Sequence, residues 1–159
     1  MKILLLSVLL AAPFFLRAQS SKEETAAAFK SLIESGNYVF KAQSAMPMSG
    51  RVRQLTTDDY SLTITKEKII SDLPYFGQAY TAPMDPSKGG IQFSSTAFDY
   101  TITPGKKDGW EVLIKPKDYH DVNQLSLSIS SAGYASLRVI STSRQQISFN
   151  GIIVPPRKH

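Results

Sequence analysis

The chain has 159 residues, no cysteine and a formal net charge of +5. With 42% hydrophobic and 19% charged residues, its composition excludes a disordered tail and a membrane bundle, and its length predicts one domain. The lack of cysteine excludes a disulfide scaffold, an iron–sulfur centre, a thiolate zinc site, a cysteine nucleophile and a lipid anchor attached through a lipobox cysteine.

Residues 1–18 have the layout of a secretory signal peptide. The basic Lys2 precedes an almost wholly apolar run, Ile3 to Leu16, which is shorter than the roughly 20 residues that a membrane-spanning helix needs. Cleavage is predicted after Ala18, and an uncleaved membrane anchor is the less favoured alternative. The protein is therefore expected to be exported, periplasmic or secreted, with no lipid anchor and no stable transmembrane span after cleavage.

The charge of the exported chain gives no sign of a nucleic-acid partner. Cleavage removes Lys2 and Arg17 and lowers the formal net charge to +3. The remaining basic residues are scattered along the chain, whereas a nucleic-acid binder concentrates them on one face or stripe. No nucleic-acid partner is expected.

One helix is predicted at the start of the exported chain. Residues Ser20–Glu24 contain two overlapping Ser-x-x-Glu capping boxes, and Gly36 is a typical helix stop. Between them, apolar residues recur on one helical face: Ala26, Phe29, Leu32 and Ile33. This pattern predicts a helix over about residues 22–35, with one apolar stripe that packs on a sheet.

After Gly36 the period of the hydrophobic pattern changes from 3.6 residues to 2 residues, which is typical of antiparallel strands with one buried and one solvent-exposed face. Clear alternation covers 38–43, 60–65, 98–103, 125–130 and 147–150, and weaker strand patterns cover 52–55, 68–72, 91–95, 110–115 and 134–141. The sequence thus predicts a mainly β (α+β) fold: an antiparallel β-sandwich or a partly open β-barrel with one N-terminal helix packed against it. This single domain spans residues 19–154 and ends in a frayed tail, 155–159.

Four short segments carry a family resemblance. They are Leu73–Gly77 (LPYFG), Gly89–Phe93 (GGIQF), Gly133–Leu137 (GYASL) and Ile147–Gly151 (ISFNG). Their order and spacing, behind a signal peptide and a short helix, resemble the bacterial domain-of-unknown-function family 4251 over about residues 25–152. No segment is a known catalytic signature. The resemblance implies an exported envelope protein of Gram-negative type and supplies neither an activity nor a site.

Four residues are candidates for ligand binding. Tyr75 and Phe76 lie between Pro74 and Gly77 and form either an aromatic platform or, as we favour, a structured turn that plugs one end of the sheet. Gly77, which has no Cβ atom, can take a positive φ in that turn. Tyr134 and Arg138 share one face of a strand, where Arg138 either orients an anionic ligand in a pocket or, as we favour, faces solvent.

Catalytic chemistry has weaker support in the sequence. His120 lies between Asp118 and Asp121, which is compatible with a general base or a metal site, but a solvated loop is the favoured interpretation. Serine is abundant, yet the chain has no Gly-x-Ser-x-Gly nucleophile elbow. We therefore assign no catalytic residue, no metal ligand and no cofactor.

These observations favour a non-enzymatic binding module over an enzyme. Its partner would be a lipid or another apolar or amphipathic ligand, or another envelope protein, with an apolar cavity or aromatic patch between helix and sheet. The alternatives are an envelope hydrolase that uses acidic residues or His120, and an assembly partner that lends a strand edge to another chain. The sequence assigns no oligomeric state.

Overall fold

A computed structural model of the protein describes residues 14–57, 59–80 and 89–156, with side chains described from residue 23 onward. One helix precedes ten β-strands. Their bounds are α1 (Phe14–Glu34), β1 (Tyr38–Pro47), β2 (Arg53–Gln54), β3 (Ser61–Ile64), β4 (Ile69–Leu73), β5 (Ile91–Ser95), β6 (Phe98–Pro104), β7 (Trp110–Pro116), β8 (Val122–Ile129), β9 (Tyr134–Ser141) and β10 (Ile147–Val154). Each predicted strand segment overlaps one of these strands.

The strands form a nearly closed antiparallel barrel, so the predicted mainly β fold with one N-terminal helix is confirmed. Nine strands follow the order β5-β4-β3-β1-β10-β9-β8-β7-β6, and the short β2 pairs separately with β1. Side chains alternate between the interior and the outer surface along most of the strands, most clearly in β4 and β9, as the period of two predicts. All the strands belong to one continuous sheet, which agrees with the predicted partly open barrel rather than with a sandwich of two packed sheets.

A loop carboxylate binds the turn that connects the two terminal strands of the barrel. β5 and β6 are joined by two residues, and Asp118 from the β7–β8 connection binds this turn. Asp118 Oδ1 accepts a hydrogen bond from Ser95 Oγ (2.5 Å), and Oδ2 accepts hydrogen bonds from the backbone N–H groups of Thr96 (2.9 Å) and Ala97 (3.2 Å). These donors stabilise the charged form and lower the pKa of Asp118 to about 2.

One apolar cluster fills the interior. The largest side chains with no exposed surface include Tyr38, Phe40 and Phe149. The hydroxyl groups of Tyr38 and Tyr100 lie 3.1 Å apart inside the barrel, and burial raises the pKa of both. A buried polar pair of this kind is tolerated because one hydroxyl donates a hydrogen bond to the other, so that neither lacks a partner.

α1 is already helical at Phe14, the first residue that the structure describes, upstream of the capping boxes that mark its predicted start. The residues between Phe14 and Ser20 include neither glycine nor proline, so the helical backbone has no local reason to end there. The helix ends at Glu34, close to the predicted end at residue 35, and the predicted stop, Gly36, has a φ of +63°. Within the described residues, no helix is both long enough and apolar enough to cross a membrane.

The helix packs on the barrel through its apolar stripe. Ile33 is fully buried, and Phe29 and Leu32 are partly buried against the core. The Phe29 ring lies over Gly133 in the β8–β9 turn, where a Cβ atom would come within 2.3 Å of the ring. Where the sequence predicts an apolar cavity between helix and sheet, the structure therefore places packed side chains.

Candidate functional site

A shallow groove of about 550 Å³ lies on the outer surface of the barrel. We call it the outer groove. Its floor crosses β10, β9, β8 and β7, whose outward residues are successive cross-strand neighbours: Asn150 opposes Ser136, Ser136 opposes Ser128, and Ser128 opposes Glu111. We call these four residues the polar row. The alternation of each strand turns them outward, and the strand register aligns them.

The polar row contains both hydrogen-bond donors and acceptors. Ser128 Oγ donates to Glu111 Oε1 over 2.7 Å, and Asn150 Nδ2 makes a weak contact of 3.8 Å with Met46 Sδ. Ser136, in the middle of the row, is exposed, and its hydroxyl makes no hydrogen bond to another described residue. The row can therefore hydrogen-bond a ligand that lies across the strands.

Two lysines from the β6–β7 turn line the rim of the outer groove. The N–H of Gly109 donates to the carbonyl of Lys106 over 3.1 Å, and the two residues between them, Lys107 and Asp108, have φ values of +52° and +58°. Two consecutive positive φ angles define a type I′ turn, which usually contains Asn-Gly. The turn places Lys106 and Lys107 in the groove wall.

Tyr134 lies at the rim formed by the β8–β9 turn. Its side chain is 67% exposed, whereas its backbone is held by Ser130: the Tyr134 N–H donates to Ser130 Oγ (3.1 Å), and the Ser130 N–H donates to the Tyr134 carbonyl (2.8 Å). Arg138 points to the same outer face four residues further along β9 and is exposed, between Ser148 and Ser126. It does not line the groove.

The other two predicted residues lie elsewhere, in the loop that follows β4. The Tyr75 hydroxyl is within hydrogen-bond distance of the carbonyl oxygens of Gln78 (2.8 Å) and Gln145 (3.0 Å), and burial raises its pKa. The guanidinium of Arg53 lies 4.8 Å from the Phe76 ring centre. The structure therefore does not bring Tyr75 and Phe76 together with Tyr134 and Arg138.

Gly77 does not use the positive φ that glycine allows. A Cβ atom at Gly77 would come within 2.4 Å of the Tyr75 hydroxyl. The glycine is required by the close approach of the Tyr75 ring rather than by a left-handed backbone.

Sequence reasoning missed the cluster around Arg144, which connects three loops. The Arg144 side chain is only 10% exposed; its Nη1 donates to the Gly90 carbonyl (2.8 Å), and its Nε lies 3.7 Å from Asp121 Oδ2. Asp121 Oδ1 also accepts hydrogen bonds from Ser141 (3.2 Å) and Ser143. The sequence offers no signal for this cluster beyond polar loop residues, since its members are far apart in the chain.

His120 is not part of a converging set of ionisable groups. It is exposed, and its backbone carbonyl accepts a hydrogen bond from Thr142 Oγ1 (3.1 Å). The carboxylates of Asp118 and Asp121 on either side bind separate partners, the β5–β6 turn and the Arg144 cluster. Among the residues that the structure describes, no three His, Asp or Glu side chains are grouped so that they could hold a metal ion.

Comparisons with known proteins identify the architecture. A family model described as "Domain of unknown function (DUF4251)" matches residues 20–153. The crystal structure of a DUF4251 family protein from Bacteroides eggerthii is similar, with a TM-score of 0.62 over 86% of this chain and 91% of that chain. The two sequences are 11% identical, so this similarity shows the fold alone. A search of curated proteins found no match.

Proposed function

The chain belongs to the DUF4251 family, whose function is unknown, and from its outer groove we propose that it is an exported, non-enzymatic binding module of the bacterial envelope. The polar row carries this proposal. It spans four strands of a rigid sheet, so that its hydrogen-bonding groups are positioned before a ligand arrives. Preorganised polar groups of this kind bind a ligand without the cost of ordering loops.

The chemistry of the outer groove favours binding over hydrolysis. Acid–base hydrolysis by carboxylates needs two of them on either side of the scissile bond. Among the described lining residues, the groove has one carboxylate, Glu111, whose Oε1 accepts a hydrogen bond from Ser128. His120 and Asp118 lie on the β7–β8 connection and do not line the groove. The hydrolase alternative therefore has less support.

The same groove favours an amphipathic ligand over a wholly apolar one. A lipid chain inside the barrel would have to displace side chains with no exposed surface, such as Phe40 and Leu127. On the outside, the exposed Tyr134 ring lies beside the polar row. A ligand with one apolar face and several polar groups could pack on the Tyr134 ring and hydrogen-bond the polar row at the same time.

Export is the second part of the proposal. It is supported by the charged start, apolar run and small residue at Ala18, which together are typical of a signal peptide. We place the protein in the periplasm or outside the cell, where its ligand would be a component of the envelope.

The test is capture of envelope material with a groove-blocking variant as control. The chain from Gln19 onward would be immobilised and exposed to a solubilised envelope fraction, and retained lipids, glycans and proteins would be identified by mass spectrometry. Ser136→Trp fills the middle of the polar row with a bulky ring. Thr101→Trp places the same ring on the exposed outer face of β6, outside the groove. Circular dichroism would show that both variants fold.

We expect the wild type and Thr101→Trp to retain the same material and Ser136→Trp to lose it. Equal retention by all three chains would show that the outer groove is not the binding site. If the wild type enriches nothing over a blank support, the binding-module proposal fails.

A second candidate, an assembly partner, is favoured by the edge of β6. In the described part of the chain β6 pairs only with β7, and Ile102 on this strand is 36% exposed. An open strand edge can pair with another chain. Light scattering after size exclusion would detect self-association, and a monomer at all concentrations would remove support for pairing between copies.

A further inference from the structure

The spacing of the polar row limits the kind of ligand that fits it. Neighbouring strands lie about 4.8 Å apart, so the row offers a polar side chain at regular intervals across the sheet. Asn150 supplies donors and an acceptor, the serines can do either, and Glu111 accepts. An apolar ligand would leave these groups without partners, which is costly. A chain of units that each carry hydroxyl groups would satisfy them in turn.

Tyr134 adds an apolar surface at the end of this row. Its backbone is fixed by two hydrogen bonds to Ser130, and the adjacent Gly133 is covered by Phe29 of α1. A single exposed aromatic residue is common on protein surfaces. This ring differs because it shares a groove with a row of hydrogen-bonding groups. Sugar rings have this combination of a C–H face and a hydroxyl-bearing edge.

Lys106 and Lys107 indicate that the ligand carries negative charge. They line the same groove, where the described residues supply a single carboxylate, Glu111. Asp108 belongs to the turn but not to the groove wall. The turn holds Lys107 at a φ of +52°, in a conformation that residues with a Cβ atom disfavour. The lysine is kept at the groove in spite of a disfavoured backbone conformation. This favours a contribution of its positive charge to ligand binding.

From these three observations we infer that the outer groove binds an anionic glycan. The polar row hydrogen-bonds the sugar hydroxyls, Tyr134 packs on the face of one sugar ring, and Lys106 and Lys107 pair with its acidic groups. This inference rests on the proposed function and names its ligand class.

Isothermal titration calorimetry with defined probes tests the inference. The probes are oligogalacturonate and oligoalginate as anionic glycans, a maltooligosaccharide of the same length as a neutral glycan, and polyglutamate as an anion without sugar. The variants are Tyr134→Ala and the double variant Lys106→Gln/Lys107→Gln. The matched control is Lys66→Gln/Lys68→Gln, which removes the same charge from exposed residues of the β3–β4 turn.

We expect at least one anionic glycan to bind the wild type, and both groove variants to weaken it about tenfold or more. The Lys66→Gln/Lys68→Gln control should bind as the wild type does. The maltooligosaccharide should bind about tenfold more weakly than the anionic glycan, and polyglutamate should not bind.

Three results would overturn the inference: neither anionic glycan binds, polyglutamate or the maltooligosaccharide binds as tightly, or the groove variants bind like the wild type. The envelope capture with Ser136→Trp separates this failure from that of the proposed function. If groove-dependent capture of non-sugar material succeeds while the glycans fail, the binding module stands and only its ligand class is wrong.

Discussion

The contact between Phe29 and Gly133 allows a quantitative test of how α1 packs on the barrel. Gly133 has a φ of +83°, and an added Cβ atom would lie 2.3 Å from the Phe29 ring. Gly133→Ala therefore introduces two separate penalties: a left-handed backbone for a residue with a side chain, and a steric overlap that forces the ring away.

The two penalties can be estimated separately. A left-handed backbone costs alanine about 1–2 kcal/mol. Complete burial of a phenylalanine side chain is worth about 1.5–3 kcal/mol, and because Phe29 is only partly buried, moving its ring should cost about half of that. We expect Gly133→Ala to lower the free energy of unfolding by about 2–3 kcal/mol. With Phe29→Ala already present, only the backbone penalty of about 1–2 kcal/mol should remain.

Urea unfolding of the chain from Gln19 onward, followed by circular dichroism, measures all four members of this double-mutant cycle. Gly89→Ala is the control, because a Cβ atom there would have no neighbour within 4 Å among the residues that the structure describes, and its effect should stay within about 0.5 kcal/mol. If Gly133→Ala costs the same with and without the Phe29 ring, the helix does not pack over this turn and the reasoning is refuted.

Two further predictions concern hydrogen bonds of the barrel. Asp118→Asn should destabilise the protein at neutral pH, and because the pKa of Asp118 is lowered from 3.8 to about 2, the difference from the wild type should shrink as the pH falls from about 4 towards 2. Thermal unfolding across this range measures it, and a difference that does not change with pH would contradict the role of the carboxylate. Tyr100→Phe should cost about 1–3 kcal/mol because it leaves the buried Tyr38 hydroxyl without its partner. Tyr38→Phe/Tyr100→Phe should recover most of that loss in urea unfolding; a double variant as unstable as the sum of the two single variants would show that the hydroxyls do not interact.

The sequence predicted the strands well because alternation is a local property. In β9, the residues Ala135, Leu137 and Val139 are buried while Ser136 and Arg138 are exposed, as their spacing indicates. The end of α1 could also be predicted from the sequence, because the positive φ that ends a helix depends on the identity of one residue, Gly36. Such features depend on contacts between residues that are near one another in the chain.

The candidate site was only partly readable. Tyr134 was a candidate because it shares a strand face with Arg138, and Tyr75 and Phe76 were candidates as a separate aromatic pair. Of these four residues, Tyr134 lines the outer groove, whereas Arg138, Tyr75 and Phe76 do not. The polar row was visible only as separate polar positions on four strands. Aligning Asn150, Ser136, Ser128 and Glu111 requires the strand register, which no single strand contains.

The sequence by itself therefore determined which segments are strands, which side of each strand is buried and where the helix ends. The tertiary structure alone decided that the sheet curls into a barrel, that Asp118 binds the turn between its terminal strands, and that Arg144 connects three loops. The physical reason is the range of the interactions: hydrophobic alternation acts over two residues, whereas register, closure and loop contacts link groups tens of residues apart, and many pairings satisfy the same local pattern.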